Sequence, residues 1–588
     1  MHAHHDRPRP AGLIASGLLA LALLAPAASH AACHVKVAEL PVHMVDMRAI
    51  ATVSINDQDV PLMVDTGAFF SFLNEATAAQ LNLVTHRDPN LVVRGLTGRV
   101  NARLTTVERL KLSKGTIPDV DFIVGGNEMG SGTMGVIGRN LLNFADTEYD
   151  LAHGMIRFVF PNDDCAQADM AYWADDTARV ASVDLLHDFD RTFGRQALRA
   201  TARLNGKDIA VVFDSGATTT VTLDAAERAG AKEADLTPDG LMYGAGRGSA
   251  RQWTGLFDRF ELGGEQINHN RLAVGDFQMD DGEMLLGVDF FLSHHIYVSA
   301  QQKKMYFTYN GGPVFVLNKA DNTPSAASAA TETLDADGFL RRGTASRARG
   351  DLAGALADLD RACALAPKDA ACFAARASVH HDLKQADAAL ADLDTALLLD
   401  PALAGARIRR AWMRHDDDAP DTALADLAEL DRTLPPQSQI RSSMADLYAE
   451  LQMPAQVLVQ LDQWIRFHPH DIALADAYNE RCWSRVQLDV ALDKALDDCD
   501  AAIDLDGKAA TYLDSRGWVR LRMGQWARAK SDFGKALAKD PGLATSLYGR
   551  SIAQGRLGDA AASEADLAAA RKLQATIVED MRRLGLVP

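Results

Sequence analysis

Val60-Pro61-Leu62-Met63-Val64-Asp65-Thr66-Gly67-Ala68 returns 149 positions later as Ile209-Ala210-Val211-Val212-Phe213-Asp214-Ser215-Gly216-Ala217. Each copy is an apolar run that ends in Asp-Thr/Ser-Gly-Ala. The match extends outward without a gap. Ala51-Thr52-Val53-Ser54-Ile55-Asn56 aligns with Ala200-Thr201-Ala202-Arg203-Leu204-Asn205. Downstream, Val136-Ile137-Gly138 aligns with Leu285-Leu286-Gly287, each glycine 73 residues beyond its Asp, and Ile156-Arg157-Phe158 aligns with Met305-Tyr306-Phe307. An internal duplication is therefore legible directly. Short alternating or apolar runs between Gly and Asn, at 49–55, 104–112, 121–124 and 155–160, predict strands joined by tight turns. Residues 74–81 and 223–229 predict a short helix after each Asp motif.

An apolar strand, then Asp-Thr/Ser-Gly-Ala, then an apolar-apolar-Gly strand some 70 residues on, resembles a lobe of the aspartic proteases, most closely the retroviral type. Retroviral-type enzymes pair two identical lobes, each giving one Asp; pepsin-like enzymes hold two lobes in one chain. The resemblance covers 34–310 and implies two fused lobes, 34–164 and 178–312, forming an intramolecular pseudo-dimer. A lone Asp-Ser/Thr-Gly is a weak signal. Two of them, each with a matching glycine strand, are a strong one.

Peptide hydrolysis without a metal or a covalent nucleophile needs an activated water and an acid for the leaving amide. Two carboxylates close enough to share one proton supply both. Asp65 and Asp214 are expected in these roles, one taking a proton from water while the other hydrogen-bonds the scissile carbonyl. In the family, the hydroxyl after each Asp bonds across to the opposite loop, which gives that role to Thr66 and Ser215. Gly67 and Gly216 would expose N–H groups to the carboxylates and allow close approach, and Gly138 and Gly287 would brace the loops from beneath. The fourth motif position is Ala in both copies, Ala68 and Ala217, where pepsin-like motifs often carry a hydroxyl that stabilises the ionised carboxylate. Its absence predicts a raised dyad pKa and an optimum nearer weakly acidic to neutral pH.

Catalysis also needs a cover that excludes water. Arg94-Gly95-Leu96-Thr97-Gly98 and Tyr243-Gly244-Ala245-Gly246-Arg247-Gly248 stand at matching places and read as Gly-rich hairpin tips. Gly95, Thr97, Gly98, Tyr243, Gly244 and Gly246 are the flap candidates. The second tip resembles the pepsin flap sequence. The first has Arg94 where the second has Tyr243, so the two flaps are expected to differ. Gly125-Gly126-Asn127-Glu128-Met129-Gly130-Ser131-Gly132 lacks the Gly-Lys-Ser/Thr of a phosphate loop. His294-His295 makes a poor metal pair, because neighbours on a strand point to opposite faces. No metal and no organic cofactor is expected.

Arg7 and Arg9 precede an uncharged apolar run, 13–24, which Pro26 breaks and Ser29-His30-Ala31 ends. That is the layout of a cleaved secretory signal, residues 1–31. The run is shorter than the ~20 residues a bilayer span needs, and no other segment is long and apolar enough. The mature chain is expected in the periplasm or secreted. Cys33 follows Ala31-Ala32, as in a lipoprotein, but His30 stands where such signals carry an aliphatic residue. Six cysteines in an exported chain permit disulfides. Cys33–Cys165 would tie the start of the mature chain to the segment after 160, and Cys482–Cys499 would staple one helical pair; buried free thiols are the alternative.

Beyond a linker at 318–335 a different period rules. Pro367, Pro401, Pro435 and Pro469 stand 34 apart; Gly507 follows after 38 and Pro541 after another 34. This period resembles tetratricopeptide (TPR) repeats. Small residues sit at family positions, for example Gly343, Ala355 and Ala362, or Gly517, Ala529 and Ala536. About seven repeats are expected over 336–577, the fifth with roughly four extra residues in its inter-helix turn near Asp489. Trp464 and Asn479 stand where the family carries a small residue and a glycine. Such a stack makes a groove that binds peptide or protein segments.

The 588 residues suggest about three to four domains at ~150 residues each. A net charge of −19, from 60 basic and 79 acidic side chains, excludes nucleic acid as a partner, since phosphate binding needs a basic face. The sequence thus reads as a multidomain protein, a mainly β bilobal aspartic-protease-like barrel followed by an all-α TPR solenoid. Its expected function is that of an exported aspartic endopeptidase with a peptide or protein substrate, whose repeats dock that substrate or a protein partner. The rival class is a non-catalytic binding scaffold, which would have no need for both acids.

Overall fold

The computed structural model describes residues 33–586 except 89–90, 92, 96–97, 101, 127–132, 167, 175–178, 187–196, 245–247, 280–281, 318–333 and 508. The signal segment, all of the linker but Leu334 and Asp335, and the flap positions Thr97 and Gly246 lie outside the described residues.

Both halves of the duplication fold alike. In the first, strands Arg48–Ile55 and Gln58–Val64 form a hairpin, and Gln58–Val64 continues parallel to Gly135–Ile137. Phe72–Leu73, Gly115–Gly125 and Ala102–Leu112 complete the sheet, which closes on itself where Ser54 and Ile55 pair with Lys111 and Leu110. The second half repeats this with Arg199–Leu204, Lys207–Phe213, Met284–Leu286, Thr220–Thr222, Glu265–Gly275 and Ser249–Leu262, and closes between Arg203–Leu204 and Glu261–Phe260. Closure removes the unpaired edges that an open sheet would expose. The expected short helices are Glu75–Gln80 and Leu223–Arg228, capped by the Asn74 and Thr222 side chains.

A six-stranded sheet joins the lobes, in the order Val35–Pro41, Met155–Pro161, Asp146–Asp150, His294–Ser299, Lys304–Tyr309, Ala181–Asp184. Its centre is the antiparallel pairing of Thr147–Tyr149 with Val298–Ile296, one strand from each lobe. The two lobes share one apolar core, which runs from Leu40 through Phe122 and Phe213 to Phe307 and Phe315. His294 and His295 do face opposite ways. His294 meets Glu265, and His295 meets Glu148 of the other lobe.

From Ala336 the chain is helical. Seven helix pairs run from Ala336–Ala348 and Leu352–Leu365 to Ala544–Arg556 and Ala560–Leu573. A further, unpaired helix, Ile577–Arg583, buries Ile577 and Met581 on the last pair. The seven pairs end at Leu573, and this last helix covers the apolar face that a terminal repeat would leave open. The extra residues of the fifth pair lie elsewhere than expected. The turn at Asp489 keeps the three residues of its counterparts; two of the extra residues lie in the connection 468–473, which has six where 366–369, 400–403, 506–509 and 540–543 have four, and two in the helix Leu474–Leu488, which has 15 where Ala370–Asp382, Ala404–Asp416 and Ala510–Arg522 have 13. With that shift Cys482, fully buried, takes the small-residue position that Asn479 would otherwise hold.

A ladder of ion pairs runs through the solenoid. Arg342–Asp358, Arg376–Asp392, Arg410–Asp426, Arg481–Asp498, Arg516–Asp532 and Arg550–Asp566 each join the two helices of one pair. Several of these arginines also reach the preceding pair, as Arg376 reaches Asp360. In the fourth pair Met444 and Gln460 replace the ion pair, and Arg441 bonds Gln460 instead.

The six cysteines form Cys33–Cys165, Cys363–Cys372 and Cys482–Cys499. With its sulfur in that bond, Cys33 is not available for lipid attachment. No described helix is long and apolar enough to cross a membrane.

Candidate active site

Two loops meet at the junction of the lobes, each carried by a buried strand. The Asp65 N–H donates to the Ile137 carbonyl at 3.0 Å, and the Asp214 N–H donates to Leu286 at 2.9 Å. The bracing strands therefore hold each Asp by its own backbone. Precision of this kind is what a catalytic group requires.

The hydroxyls after each Asp lock the loops together. Thr66 Oγ1 donates to the Phe213 carbonyl at 2.8 Å and accepts the Ser215 N–H at 2.9 Å. Ser215 Oγ donates to the Val64 carbonyl at 2.9 Å and accepts the Thr66 N–H at 3.1 Å. Both hydroxyls are buried, so four backbone groups at the lobe junction depend on two side chains.

The glycines admit the opposite loop. A Cβ on Gly67 would lie 2.3 Å from Asp214 Cγ, and one on Gly216 would lie 2.4 Å from Asp65 Cγ. Gly138 and Gly287 are packed as closely from beneath. A Cβ there would meet the Phe70 backbone or the Thr218 backbone at 2.4 Å. In both lobes the residue after the bracing glycine donates its N–H to the fourth motif residue, Arg139 to Ala68 at 2.9 Å and Val288 to Ala217 at 2.8 Å.

The two carboxyls are hydrogen-bonded to each other. Burial pushes both above the ordinary Asp range. Asp214 is raised further, because the charge of Asp65 and the bond between them add to burial. In Asp65 the same bond and the N–H groups of Ala68 and Gly67, at 2.9 and 2.8 Å, offset part of that effect. Among the described residues, the one backbone N–H that the Asp214 carboxyl accepts is that of Gly216, at 2.9 Å. Asp65 thus accepts two backbone N–H groups and Asp214 one, a distinction that two near-identical motifs do not reveal. Arg139, almost fully buried, lowers both carboxyls through its charge, and its counterpart in the second lobe is the neutral Val288.

Several further residues shape the site. Ser71 Oγ accepts the Gly138 N–H at 3.0 Å and donates to Asn140 Oδ1 at 2.8 Å. In the second lobe Thr219 Oγ1 accepts the Gly287 N–H at 2.9 Å and donates to Asp289 Oδ1 at 2.6 Å. Asn140 and Asp289 are 149 apart, but Ser71 and Thr219 are 148 apart. One extra residue in the first lobe hides the second match, and allowing a one-residue gap would have found it. That lobe also places Phe69 and Phe70 beside Phe72, with ring centroids of Phe69 and Phe72 at 5.9 Å. The second lobe has threonines there.

Of the flap candidates, Gly95 pairs with Gly98 in the hairpin of strands Val93–Gly95 and Gly98–Val100. Tyr243 ends strand Thr237–Tyr243 and pairs with Ser249, with Gly244 next in the chain. Met242 and Ala217 pack on the same small apolar cluster, so the root of the second hairpin adjoins the Asp214 loop. Among the described residues, no group of three or more His, Cys, Asp or Glu is placed to hold a metal ion.

A family model described as Aspartyl protease matches residues 51–141 and 200–290, one copy per lobe. The helical half is similar to a tetratricopeptide repeat protein from Parabacteroides merdae, 16% identical over 43% of this chain and 99% of that one, with a TM-score of 0.31. It is also similar to YrrB, a TPR protein with an unusual peptide-binding site, 18% identical over 37% of this chain and 92% of that one, TM-score 0.23. A third likeness is MamA, 15% identical over 34% and 96%, TM-score 0.22. No curated protein matches the chain. Each lobe thus matches the aspartyl protease model, and the rest of the chain is a solenoid of paired helices.

Proposed function

We propose that the protein is an exported aspartic endopeptidase. The observation that carries this reading is the mutual enclosure of Asp65 and Asp214. Each carboxyl faces the other loop's glycine, both are bonded to each other, and they are held at different affinities for the one proton they share. A duplicated barrel kept only as a scaffold has no use for two desolvated acids at its centre, where each costs stability.

In the reaction, ionised Asp65 takes a proton from a water bound between the carboxyls, and protonated Asp214 donates a hydrogen bond to the scissile carbonyl. The resulting tetrahedral diol collapses as a proton passes from the dyad to the leaving amine. The three disulfides fit an oxidising compartment outside the cytoplasm. The helical repeats serve the same task by docking substrate or a protein partner. A statine-type peptide, whose hydroxyl mimics the tetrahedral diol, tests the site directly. Calorimetry should show it binding with at least about 100-fold higher affinity than the matching peptide. Equal affinities would count against a hydrolytic site.

A further inference from the structure

The solenoid is joined to the first lobe by direct contact at two places. At its start, helix Ala336–Ala348 lies on that lobe. The Met44 N–H donates to Thr344 Oγ1 at 3.4 Å, Arg347 pairs with Asp46 at 3.3 Å, and Ala345 is fully buried in the core of the lobes. Gly154 is packed against Arg341, so that a Cβ there would lie 2.4 Å from the Arg341 Cβ.

The second contact is made by the part of the solenoid that breaks its period. The connections 434–439 and 468–473 are both six residues long, and they are bonded into one platform. Gln439 Nε2 donates to Asp471 at 2.9 Å, Trp464 Nε1 donates to Gln439 Oε1 at 3.1 Å, and His468 Nε2 bonds the Gln437 carbonyl at 3.1 Å. The platform carries His470, whose side chain is only 13% exposed and whose Nε2 lies 3.5 Å from Glu75 Oε1. The partnership with His470 holds the Glu75 carboxyl below the usual Glu range.

Glu75 is tied to the support of the dyad. Phe72–Leu73 pairs with Val136 and Gly135, and that strand runs on to Ile137, which accepts the Asp65 N–H. Asn74 follows directly. Its N–H donates to the Met134 carbonyl at 3.3 Å, its Nδ2 donates to the Thr133 carbonyl at 3.3 Å, and its Oδ1 accepts the Thr77 N–H at 2.7 Å, capping helix Glu75–Gln80. The residue that opens this helix thus adjoins a cap bonded to the bracing segment. The second lobe arranges the same place differently. Its helix Leu223–Arg228 follows the cap Thr222, and Leu223, where the first lobe has Glu75, packs on the apolar core of the lobes. The first lobe carries a carboxylate there and takes its anchor from the solenoid.

We propose that the solenoid completes the first catalytic lobe, with His470 as a positioning residue that acts through Glu75 and its helix on the Asp65 loop. The proposal rests on the endopeptidase reading and goes beyond docking, because it makes the repeats set the rate of turnover. A helix of six residues is marginal by itself, so what holds its first residue decides how firmly the segment behind Asp65 is fixed. A misplacement of about 1 Å at a reacting group costs about 100-fold in rate. The lengthened connections are not needed by the helix stack, whose other pairs are joined by four residues. They do bring His470 to Glu75.

Kinetics and amide exchange on the full chain test this. His470→Ala should lower kcat for a short peptide about tenfold, with KM changed less than about twofold. His470→Gln, which keeps an N–H donor on a side chain of similar reach, should recover most of that loss. In a Glu75→Leu background, which copies the second lobe, His470→Ala should change kcat less than about twofold, because its partner is already gone. Amide exchange of 72–80 should quicken at least about tenfold in His470→Ala, while 220–228 in the second lobe keeps its protection. A His470→Ala protein that turns over peptide at the unaltered kcat, or that exchanges 72–80 at the unaltered rate, would overturn the proposal. If the unaltered protein cleaves no peptide, the endopeptidase reading fails, and the exchange result still decides whether His470 holds the helix.

Discussion

Gly67 stands directly against the carboxyl of Asp214, so closely that a single added methyl would lie 2.3 Å from its Cγ. Gly216 repeats the arrangement on Asp65 at 2.4 Å. The dyad is thus built from each loop's carboxylate and the other loop's missing side chain. Gly67→Ala or Gly216→Ala should push one carboxyl out of line and lower kcat/KM by at least about 100-fold, since a 1 Å misplacement has that cost. Circular dichroism should show the fold retained. An alanine variant with unaltered kinetics would contradict this packing.

Thr66 and Ser215 each satisfy one backbone N–H and one carbonyl of the opposite lobe. Thr66→Val removes both partners in a buried place. Each unsatisfied group costs about 1–3 kcal/mol, so denaturant unfolding of the lobes should report a loss of roughly 2–4 kcal/mol. Thr66→Ser should recover most of it.

The raised carboxyls make a prediction about pH. A carboxyl with a folded pKa above its unfolded one favours the fold at low pH, and that contribution is lost as pH rises from the unfolded value through the folded one. Asp214→Asn removes the penalty of crowding a second charge beside Asp65. It should raise the melting temperature of the lobes at pH 7, by roughly 2–4 °C for each kcal/mol relieved, while abolishing hydrolysis. The pH–rate profile should be bell-shaped with its peak at weakly acidic to neutral pH. A peak below about pH 3 would contradict the desolvated dyad.

The sheet that joins the lobes carries the opposite sign. Glu148 is fully buried between His295 at 2.8 Å, Tyr172 and Arg157. Burial alone would raise its carboxyl, but those bonds and charges outweigh it and hold Glu148 below the ordinary Glu value. Its stabilisation is present above the unfolded pKa and is lost as pH falls through the lower folded one. Glu148→Gln should cost about 1–3 kcal/mol at pH 7, because Arg157 loses the nearer of its two buried carboxylates and keeps only Asp150, at 4.0 Å. The difference from the unaltered protein should shrink on acidification below about pH 4.

Phe69 has no aromatic counterpart in the second lobe and lies beside the Asp65 loop. Phe69→Thr, which copies the second lobe, should raise KM for substrates with a large apolar residue next to the scissile bond by about tenfold, the value of one lost apolar contact of 1–2 kcal/mol. Substrates with small residues there should change little.

The lobes were legible because duplication prints the Asp motif and its glycine strand twice at one spacing. Where the copies drift, as with the extra residue before Ser71, the pairing of Ser71 and Asn140 with the glycine strand drops out of view. Joining of the lobes through Thr147–Tyr149 and Ile296–Val298 is set by tertiary pairing and leaves no local mark. In the solenoid, Pro and Gly at helix ends announced the period. The position of the fifth pair's insertion was hidden, because Asn479 offers a plausible small position and the true one, Cys482, is marked by the ladder residue Arg481 beside it. Arg342, Arg376 and Arg410 recur at 34 residues and carried that signal. That the Asp65 carboxyl meets two backbone N–H groups and the Asp214 carboxyl one is visible only in space.

Hydrolysis by the shared-proton pair has a direct test. A diverse peptide library should be incubated with the unaltered protein, Asp65→Asn and Asp214→Asn, and the products read by mass spectrometry. Internal cleavage is expected from the unaltered protein, falling by at least about 1,000-fold in each variant. Equal behaviour of all three proteins, cleaving or not, would contradict it.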